Sequence, residues 1–441
     1  RLTAPLRGIQ RQFERLSGLA KRIGVLGGAV AAISFMLPIQ SAAAFDQKLR
    51  DIAVTAGLFG AEAEARIRSM AVSYRALALQ VGLTSDQIAD ASGILVAAGM
   101  DDALANKLLP TIGRVSKAAS AVPVDVAKVG FALNNTLKIQ ADQMEDAFGK
   151  LVTAGKLGRF EFKDMAKDLP ELAAQMDKFG IRGMEAVETI GASLQIAMFG
   201  TDSTSAAANN FKNFLTKILS PETIKNFKKA GVDIMSVMQS AAAQGLNPIE
   251  SAIDKVLKLT GMSKKDMLDI YNREKAHGKT DKEATDSALE QIKKIAGAEK
   301  LGGLFGDVQV LDFMLPMLAN VEKYLEFKRA INASDKGVIG QDSATQMAGP
   351  ATQLNIFNES VKQLGDRVGA AFATNLPMLN AFMAQMMGLI GQVDAAFPGA
   401  IDQVLSFAGA GLLLVTALGL LGPVFSVIAA GAGVIATGIG I

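Results

Sequence analysis

The sequence contains no cysteine and no tryptophan, and only one histidine and three tyrosines among 441 residues. Without cysteine the chain can form neither a disulfide framework nor a thiolate metal site, and one histidine is too few for the usual zinc-hydrolase ligand sets. A net charge of +2 provides no basic surface for bulk nucleic-acid binding. We therefore expect no catalytic residue, no cofactor and no metal site, and we predict that the chain is not an enzyme.

Charged residues are scarce in particular segments. They make up 20% of the sequence, against about 25% in an ordinary soluble protein. Much of the deficit falls in uncharged runs at residues 23–45, 368–393 and 403–441. Because the chain begins at Arg1 and stops inside an apolar run, we interpret it as a segment of a longer protein.

The N-terminus joins a basic segment to an apolar one. Residues 1–22 carry Glu14 as their only acid among several Arg and Lys residues, which predicts a basic amphipathic helix. Residues 23–44 predict an apolar helix and a candidate transmembrane segment. The pattern is compatible with a signal peptide, a membrane-seeking helix or an apolar helix packed in a larger assembly. Pro38 should shorten any continuous helix here, which leaves the apolar core marginal for a span of about 20 residues.

Residues 45–325 predict a helical core domain. Apolar residues recur at helical spacing, as in the stripe Ile67, Met70, Ala71, Tyr74, Leu77 and Val81. Two further stripes are Leu169, Leu172, Ala173, Met176 and Phe179, and Phe211, Phe214, Leu215 and Ile218. No stretch alternates with the period of a strand, so the predicted fold class is all-α. Residues 262–300, dense in both charges, predict a solvated helical excursion.

Local signals place several helix ends within this core. Thr84 and Gln87 have the spacing of a capping box, and Gly99 should stop the helix that follows. Ser220 and Pro221 predict a second helix start, with Gly231 as its stop. The pairs Gly82/Gly93 and Gly180/Gly191 are both 11 positions apart, and each brackets an apolar stripe, which suggests an internal repeat.

The last quarter of the chain divides into a linker and apolar helices. Residues 326–350 are polar at their centre and rich in helix breakers, which predicts a linker. Residues 351–402 predict amphipathic helices, broken at Pro377. Residues 403–441 are uncharged, and Gly422-Pro423 divides them into halves each near the length of one bilayer span. This segment predicts an apolar helical hairpin and a candidate transmembrane segment; burial within a protein assembly is the alternative.

Two short motifs resemble nucleotide-binding loops. "HGKT" at 277–280 matches the end of a phosphate-binding loop, but that loop needs a glycine where this chain has Arg273. "GAGVIA" at 431–436 fits the dinucleotide fingerprint by its letters, but no strand precedes it. We interpret the first as a solvated segment that includes His277, and the second as small residues for helix packing.

The order of several stretches resembles the core region of phage tail tape-measure proteins. These stretches are "GLTSDQIADASGILVAAG", "FGIRGMEAVETIGASLQIAMFGTDSTSAAANNFKNFLTKILSP", "IKNFKKAGVDIMSV" and "LGGLFGDVQVLDFMLPML". The last contains Leu304, Phe305 and Gly306, which resemble a recurrent Leu-Phe-Gly ahead of an apolar helix. The apolar C-terminal runs are also typical of the family.

The resemblance implies a structural protein of a tailed phage or prophage. Members of this family set tail length during tube polymerisation, occupy the lumen of the tail tube in the virion, and on infection help DNA cross the host inner membrane. The implied partners are the tail-tube protein, tail assembly chaperones, tail-tip or baseplate hub proteins and further copies of the chain, with a trimer as one option. DNA would pass without sequence-specific binding. The alternatives are a membrane-inserted pore or toxin-like protein and part of a cell-wall hydrolase.

Overall fold

The computed structural model describes residues 28–259, residues 303–373 and a few isolated positions between 269 and 287. Over these residues the secondary structure is helical without any strand, which confirms the all-α prediction. The chain separates into two compact units. Unit 1 comprises Arg1–Gln47 and Ser360–Ile441, and unit 2 comprises Lys48–Glu359.

Most helices of the chain are shorter than 20 residues and follow one another after brief turns. In chain order they are α1 (Gly28–Thr55), α2 (Gly60–Val81), α3 (Ser85–Ala97), α4 (Asp102–Ala118), α5 (Pro123–Phe131), the π-helical segment π1 (Ala132–Thr136), α6 (Met144–Lys156), α7 (Phe162–Lys178), α8 (Gly183–Ala197), α9 (Thr204–Lys217), α10 (Pro221–Lys229), α11 (Ile234–Ala243), α12 (Pro248–Leu259), α13 (Val308–Ala319), α14 (Val321–Asn332), α15 (Gly337–Met347) and α16 (Pro350–Ala373).

The described part of unit 1 comes from the beginning of α1 and the end of α16. Phe45 is fully buried, and the Lys362 ammonium lies 5.8 Å from the centre of its ring, within the range of a cation–π contact. Lys362 also pairs with the buried carboxylate of Asp366 one turn further along α16, at 3.1 Å. The lysine therefore joins an aromatic ring to an acid inside this unit.

One type of corner recurs between the helices of unit 2. A residue with positive φ follows the end of a helix, and the amide of the next residue donates to the carbonyl five positions earlier, as in a Schellman motif. The next helix begins three positions after the positive-φ residue. The positive-φ residues at these corners are Gly57, Gly82, Gly99, Ser120, Gly180, Gly231 and Gly245. In the described part of the chain, the same short corner thus joins seven pairs of successive helices.

Two sets of three helices share the same plan. We call α3–α5 triplet A and α6–α8 triplet B. The first helices are both 13 residues long, and the second helices are both 17 residues long with a proline at the ninth position, Pro110 or Pro170. In both triplets a positive-φ residue, Ser120 or Gly180, stands two positions after the second helix. In each triplet the first and third helices pack on each other and on the second.

The two triplets also bury equivalent positions. From Ser85 to Met144 is 59 positions, and from Asp102 to Phe162 is 60. Every buried residue of α3 falls on a buried residue of α6 when 59 is added to its number. The structure thus contains an internal repeat, but its register pairs Ser120 with Gly180. The repeat suggested by the pairs Gly82/Gly93 and Gly180/Gly191 was therefore in the wrong register.

Aromatic side chains join α13 to the helices that follow triplet B. Phe313 of α13 stacks on Phe211 of α9 with ring centres 4.8 Å apart, and it lies 5.0 Å from Phe214. Phe305, just before α13, meets Phe214 and Phe227 edge-on. All five rings are buried. Three of these residues precede residues 260–302 in the sequence and two follow them. The aromatic cluster therefore joins two separate stretches of the chain in the core of unit 2.

The structure corrects two predictions about helix boundaries. The predicted linker over 326–350 is mostly helical, because it contains the end of α14 and all of α15, separated by a short turn. Pro38 does not end a helix, since α1 continues through it just as α4, α7 and α13 continue through prolines. An internal proline costs about 3 kcal/mol, which packing of the helix can offset. The predictions for 1–22 and 403–441 lie outside the described residues, as do most of 262–300 and the later part of 351–402.

Candidate functional site

The nucleotide-like motif at 277–280 has no binding geometry in its described part. His277 and Gly278 form a turn after a helical residue, and the His277 ring Nδ1 lies 2.7 Å from the carbonyl oxygen of Arg273. Among the described residues no group of His, Cys, Asp and Glu is arranged to hold a metal ion. "GAGVIA" lies outside the described residues. The polar sites of the fold lie elsewhere, where helices meet.

The central polar contact of unit 2 is an ion pair between α6 and α8. Lys150 and Glu188 are 3.1 Å apart, and their side chains are 9% and 5% exposed. Lys150 also donates to the carbonyl oxygens of Ile331 and Asn332 at the end of α14, and the Asn332 amide donates to Glu188 at 2.8 Å. The pair therefore binds the end of α14. Sequence reasoning missed it, because a single Lys and a single Glu on helices ordinarily indicate solvent-facing positions.

Glycines let α14 and α15 approach this ion pair closely. A Cβ added to Gly149 would overlap the carbonyl of Asp335, in the turn between α14 and α15. A Cβ added to Gly191 would lie 2.8 Å from the Ala154 Cβ and 3.2 Å from the Ile331 side chain. We call α14 and α15 the strap, and the surface of α6 and α8 beneath it the seat. Glycines, which have no side chain, shape the seat together with its buried charges.

A second polar cluster joins the strap to α8 and α12. Lys328 of α14 lies 2.6 Å from Glu185 and also pairs with Glu250. Burial acts to raise the pKa of Glu185, but hydrogen bonds from Lys328 and Asn247 outweigh it and hold the pKa below its ordinary value. Burial acts to lower the pKa of Lys328, but the two glutamates raise it above its ordinary value. Glu185 and Lys328 therefore stay charged near neutral pH.

Tyr324 completes this second cluster. Its hydroxyl donates to Glu250 at 2.7 Å. Burial, reinforced by the charge of Glu250, raises the pKa of Tyr324 well above its ordinary value, so the hydroxyl keeps its proton. An open cleft of about 490 Å³ beside the cluster is lined mainly by charged side chains, among them Glu188, Glu322 and Arg329. Small-molecule sites are mostly apolar and enclosed. The cluster is suited to holding helices together.

Gln195 of α8 holds the turn between α6 and α7. Its buried side-chain amide donates to the carbonyls of Ala154 and Phe160, at 2.7 and 2.8 Å, and its carbonyl accepts from the Phe160 amide at 3.2 Å. The backbone of Gly158 lies directly against the same side chain. One glutamine thus bonds three backbone groups at the end of α6 and in the turn, and it is the partner of both the amide and the carbonyl of Phe160.

Glu359 of α16 caps a helix that is distant in sequence. Its carboxylate accepts from the backbone amide of Ser85 at 3.0 Å and from the Ser85 hydroxyl at 2.5 Å. These groups stand in the first turn of α3, where free amides and the helix dipole favour a negative charge. Thr84 and Gln87 make the predicted capping box at the same helix end. The start of α3 is therefore fixed both locally and from the far end of unit 2.

Membrane-spanning character is not found in the part of the chain that the structure describes. No helix there combines the length and the apolar character needed to cross a bilayer. The candidate transmembrane helix over 23–44 is thus not supported where it is described, because residues 28–44 belong to α1. That helix continues to Thr55 through charged residues at 46, 48, 50 and 51.

Comparison with known proteins identifies the family. The model of the phage-related minor tail protein family matches residues 74–306, more than half of the chain. The probable tape measure protein of Burkholderia phage BcepMu is 32% identical over 401 residues, which cover 90% of this chain. That alignment covers 46% of the relative, so the chain spans less than half of its length. No solved structure matches the chain. The chain therefore belongs to the phage-related minor tail proteins and is a phage tail protein of the tape-measure type.

Proposed function

We propose that this chain is part of a ruler that sets the length of a phage tail tube during assembly and occupies the tube lumen in the virion. The similarity to a tape measure protein along 90% of the chain carries the proposal. The short helices and recurrent corners of unit 2 are consistent with it, because they store a long chain in a compact form. In this role the chain is structural and catalyses no reaction.

The partners we propose follow from that role. A ruler must contact the tail-tube protein that polymerises around it, the assembly chaperones that cover it beforehand, and the tip or baseplate hub at one end. Further copies of the chain would lie beside it, with three as one option. DNA passes through the emptied tube without sequence-specific binding, in keeping with the net charge of +2.

The ruler role predicts that tail length follows chain length. The internal repeat provides a deletion that preserves helix phase: removing residues 102–161 joins the corner at Gly99 to α7, which has the length and proline position of α4. In the full-length protein within its phage, we expect tails up to about 90 Å shorter, since a helix rises about 1.5 Å per residue. Electron microscopy of purified particles measures the change.

A replacement separates length from local structure in this experiment. An unrelated helical segment of 60 residues in place of 102–161 should restore the original tail length. Particles that assemble with the deletion and keep their tail length would contradict the ruler proposal. If the deletion prevents assembly and the replacement segment restores it, assembly requires the length of residues 102–161 and not their sequence.

The second part of the proposal concerns infection. We propose that the chain leaves the tube and that its apolar segment 403–441, which has no charged residue, helps DNA cross the host inner membrane. Phage lacking 403–441 should assemble tails shortened by at most about 60 Å and adsorb normally. We expect DNA entry, followed as potassium efflux and early transcription, to fall at least about tenfold.

A matched variant tests the reason for that loss. Replacing residues 403–441 with an equally long, charged and water-soluble helix restores the length of the chain but not the apolar character of this segment. DNA entry should remain impaired with this replacement. Normal entry with either variant would contradict the membrane role while leaving the ruler role intact.

A further inference from the structure

We propose that the strap, α14 and α15, is a detachable element that leaves its seat as one piece while triplets A and B stay folded. The inference concerns the fold of unit 2 and does not rest on the ruler role. Three features of unit 2 support it: the internal repeat, the polarity of the seat, and the greater burial of α13 compared with the strap.

The repeat compares the surface beneath α14 in the two triplets. α14 packs on α6 and α8 of triplet B, whereas triplet A meets the strap through α15, which packs on α4. In triplet A the positions equivalent to Gly149, Lys150, Glu188 and Gly191 are Asp90, Ala91, Lys128 and Phe131. Asp90 is exposed, and the Lys128 side chain is 50% exposed and pairs with Asp125 on its own helix. The positions of triplet A that correspond to Gly149 and Glu188 thus carry exposed charged side chains, and Asp90 pairs with Lys48 of α1 at 2.8 Å. The seat is a specialisation of triplet B.

The contact between strap and seat is unusually rich in charge. Lys150 and Glu188 are buried beneath the end of α14, and Lys328 reaches from α14 to Glu185. Two charges that are buried together lose about as much hydration free energy as they gain by attraction. When the strap leaves, these groups recover their hydration. The ionic part of the contact therefore fixes the position of the strap but adds little to the free energy of undocking.

The apolar part of this contact is small. Tyr324, Phe327 and Ile331 are the buried residues of α14, and α15 buries only Ile339 and Ser343. Outside the seat, α15 packs on α4. At its edge it makes the exposed pair Lys156–Asp342, of a kind that contributes little. A segment with few buried apolar groups opens at a lower free energy than the core.

The helix on the other side of Asn320 is held in a different way. In α13 every residue from Phe313 to Ala319 is buried, and Phe313 lies between two rings of α9. We infer that α13 anchors the chain before the strap. After the strap, the chain is anchored at Glu359 of α16, which binds the start of α3. Detachment would free the two strap helices, of 12 and 11 residues, or about 35 Å of helix.

Native-state hydrogen exchange, read by mass spectrometry on peptides, tests the inference in the unmodified chain. We expect peptides of α14 and α15 to exchange through an opening at least about tenfold more frequent than that of α6–α8 and α13. Equal protection of strap and body would overturn the inference.

Substitutions in the seat sharpen the test. Lys150→Ala leaves Glu188 buried without its cation, and detachment of the strap relieves this by exposing the carboxylate to water. We expect strap exchange to rise about a hundredfold with α6–α8 still protected. Loss of protection across strap and body together, or no change in the strap, would overturn the inference. Lys128→Ala, at the half-exposed counterpart of Glu188, is the matched control and should leave strap exchange unchanged; acceleration there would count against a response specific to the seat.

An apolar replacement of the pair tests the energetic reason. In the double variant Lys150→Met with Glu188→Leu, no charge recovers hydration when the strap leaves. Strap exchange should then be at or below the rate of the unmodified chain. Faster exchange than in the unmodified chain would show that the ion pair holds the strap down, and would overturn the inference.

Discussion

Phe313→Ala should lower the free energy of unfolding of unit 2 by about 3–5 kcal/mol, the range for truncating a fully buried phenylalanine. The loss has two sources: the apolar surface of the ring, and its contacts with Phe211 at 4.8 Å and Phe214 at 5.0 Å. Urea unfolding followed by far-ultraviolet circular dichroism measures the change.

Phe357→Ala on α16 is the matched control for this substitution. The Phe357 side chain is 63% exposed, so the same truncation should change the free energy of unfolding by no more than about 0.5 kcal/mol. If the two variants lost similar stability, the aromatic cluster would not be the centre of the unit 2 core. Phe313→Leu, which retains most of the apolar volume, should fall between them.

The sequence predicted most of the helical core because its signals are local. The buried faces of α2, α7 and α9 match the predicted stripes, with Ala71 only half-buried. The capping box at Thr84 forms both of its hydrogen bonds, at 3.1 and 2.9 Å. Ser220 accepts from the Thr223 amide, and Gly231 has a φ of +79°. Caps and stripes depend on residues within one or two turns, so a single sequence contains them.

The strap was mistaken for a linker because its partners are distant in sequence. Gly337 and Gly340 look like helix breakers, and Asp335 and Asp342 look like loop residues. In the structure α15 packs on α4, which precedes it by more than 200 positions, and the turn before α15 lies against Gly149. The buried residues of α15 are Ile339 and Ser343 alone, so the helix has few apolar side chains. Its own sequence therefore lacks the stripe that would have revealed it.

The repeat was suggested in the wrong register for a related reason. Triplets A and B share helix lengths, a proline position and a corner, but few identical residues. The corner after α4 uses Ser120 at a φ of +51°, where the corner after α7 uses Gly180. A search based on glycines misses such a pairing. The two triplets share backbone geometry but few side chains, so only a structure displays the repeat.

Polar residues that organise the core were also invisible to sequence reasoning. Lys150, Glu188 and Gln195 stand on helices whose other buried residues are apolar or small. On the helices that carry them they resemble surface positions. Their role depends on α14 for the ion pair and on the turn after α6 for the glutamine. Such groups have the greatest effect when removed, because their partners stay buried.

Gln195→Leu should lower the free energy of unfolding of unit 2 by about 3 kcal/mol. Leucine fits the space approximately but can neither donate to the carbonyls of Ala154 and Phe160 nor accept from the Phe160 amide. The Ala154 carbonyl keeps its bond from the Leu157 amide, but each Phe160 backbone group left buried without a partner costs about 1–3 kcal/mol. The measured loss is smaller than the sum of these costs if the turn moves and its unpaired backbone groups reach water. Urea unfolding gives the total, and hydrogen exchange should show lost protection centred on residues 154–162.

Asn135→Leu is the control that the internal repeat supplies. Asn135 occupies in triplet A the position that Gln195 has in triplet B, 60 residues later, but it is exposed. The same kind of change there should alter the free energy of unfolding by no more than about 0.5 kcal/mol. Equal losses in the two variants would show that leucine is poorly tolerated at this helical position in general. A loss confined to Gln195→Leu would assign the effect to the buried position of Gln195 and its hydrogen bonds to the α6–α7 turn, since Asn135 lies exposed in π1.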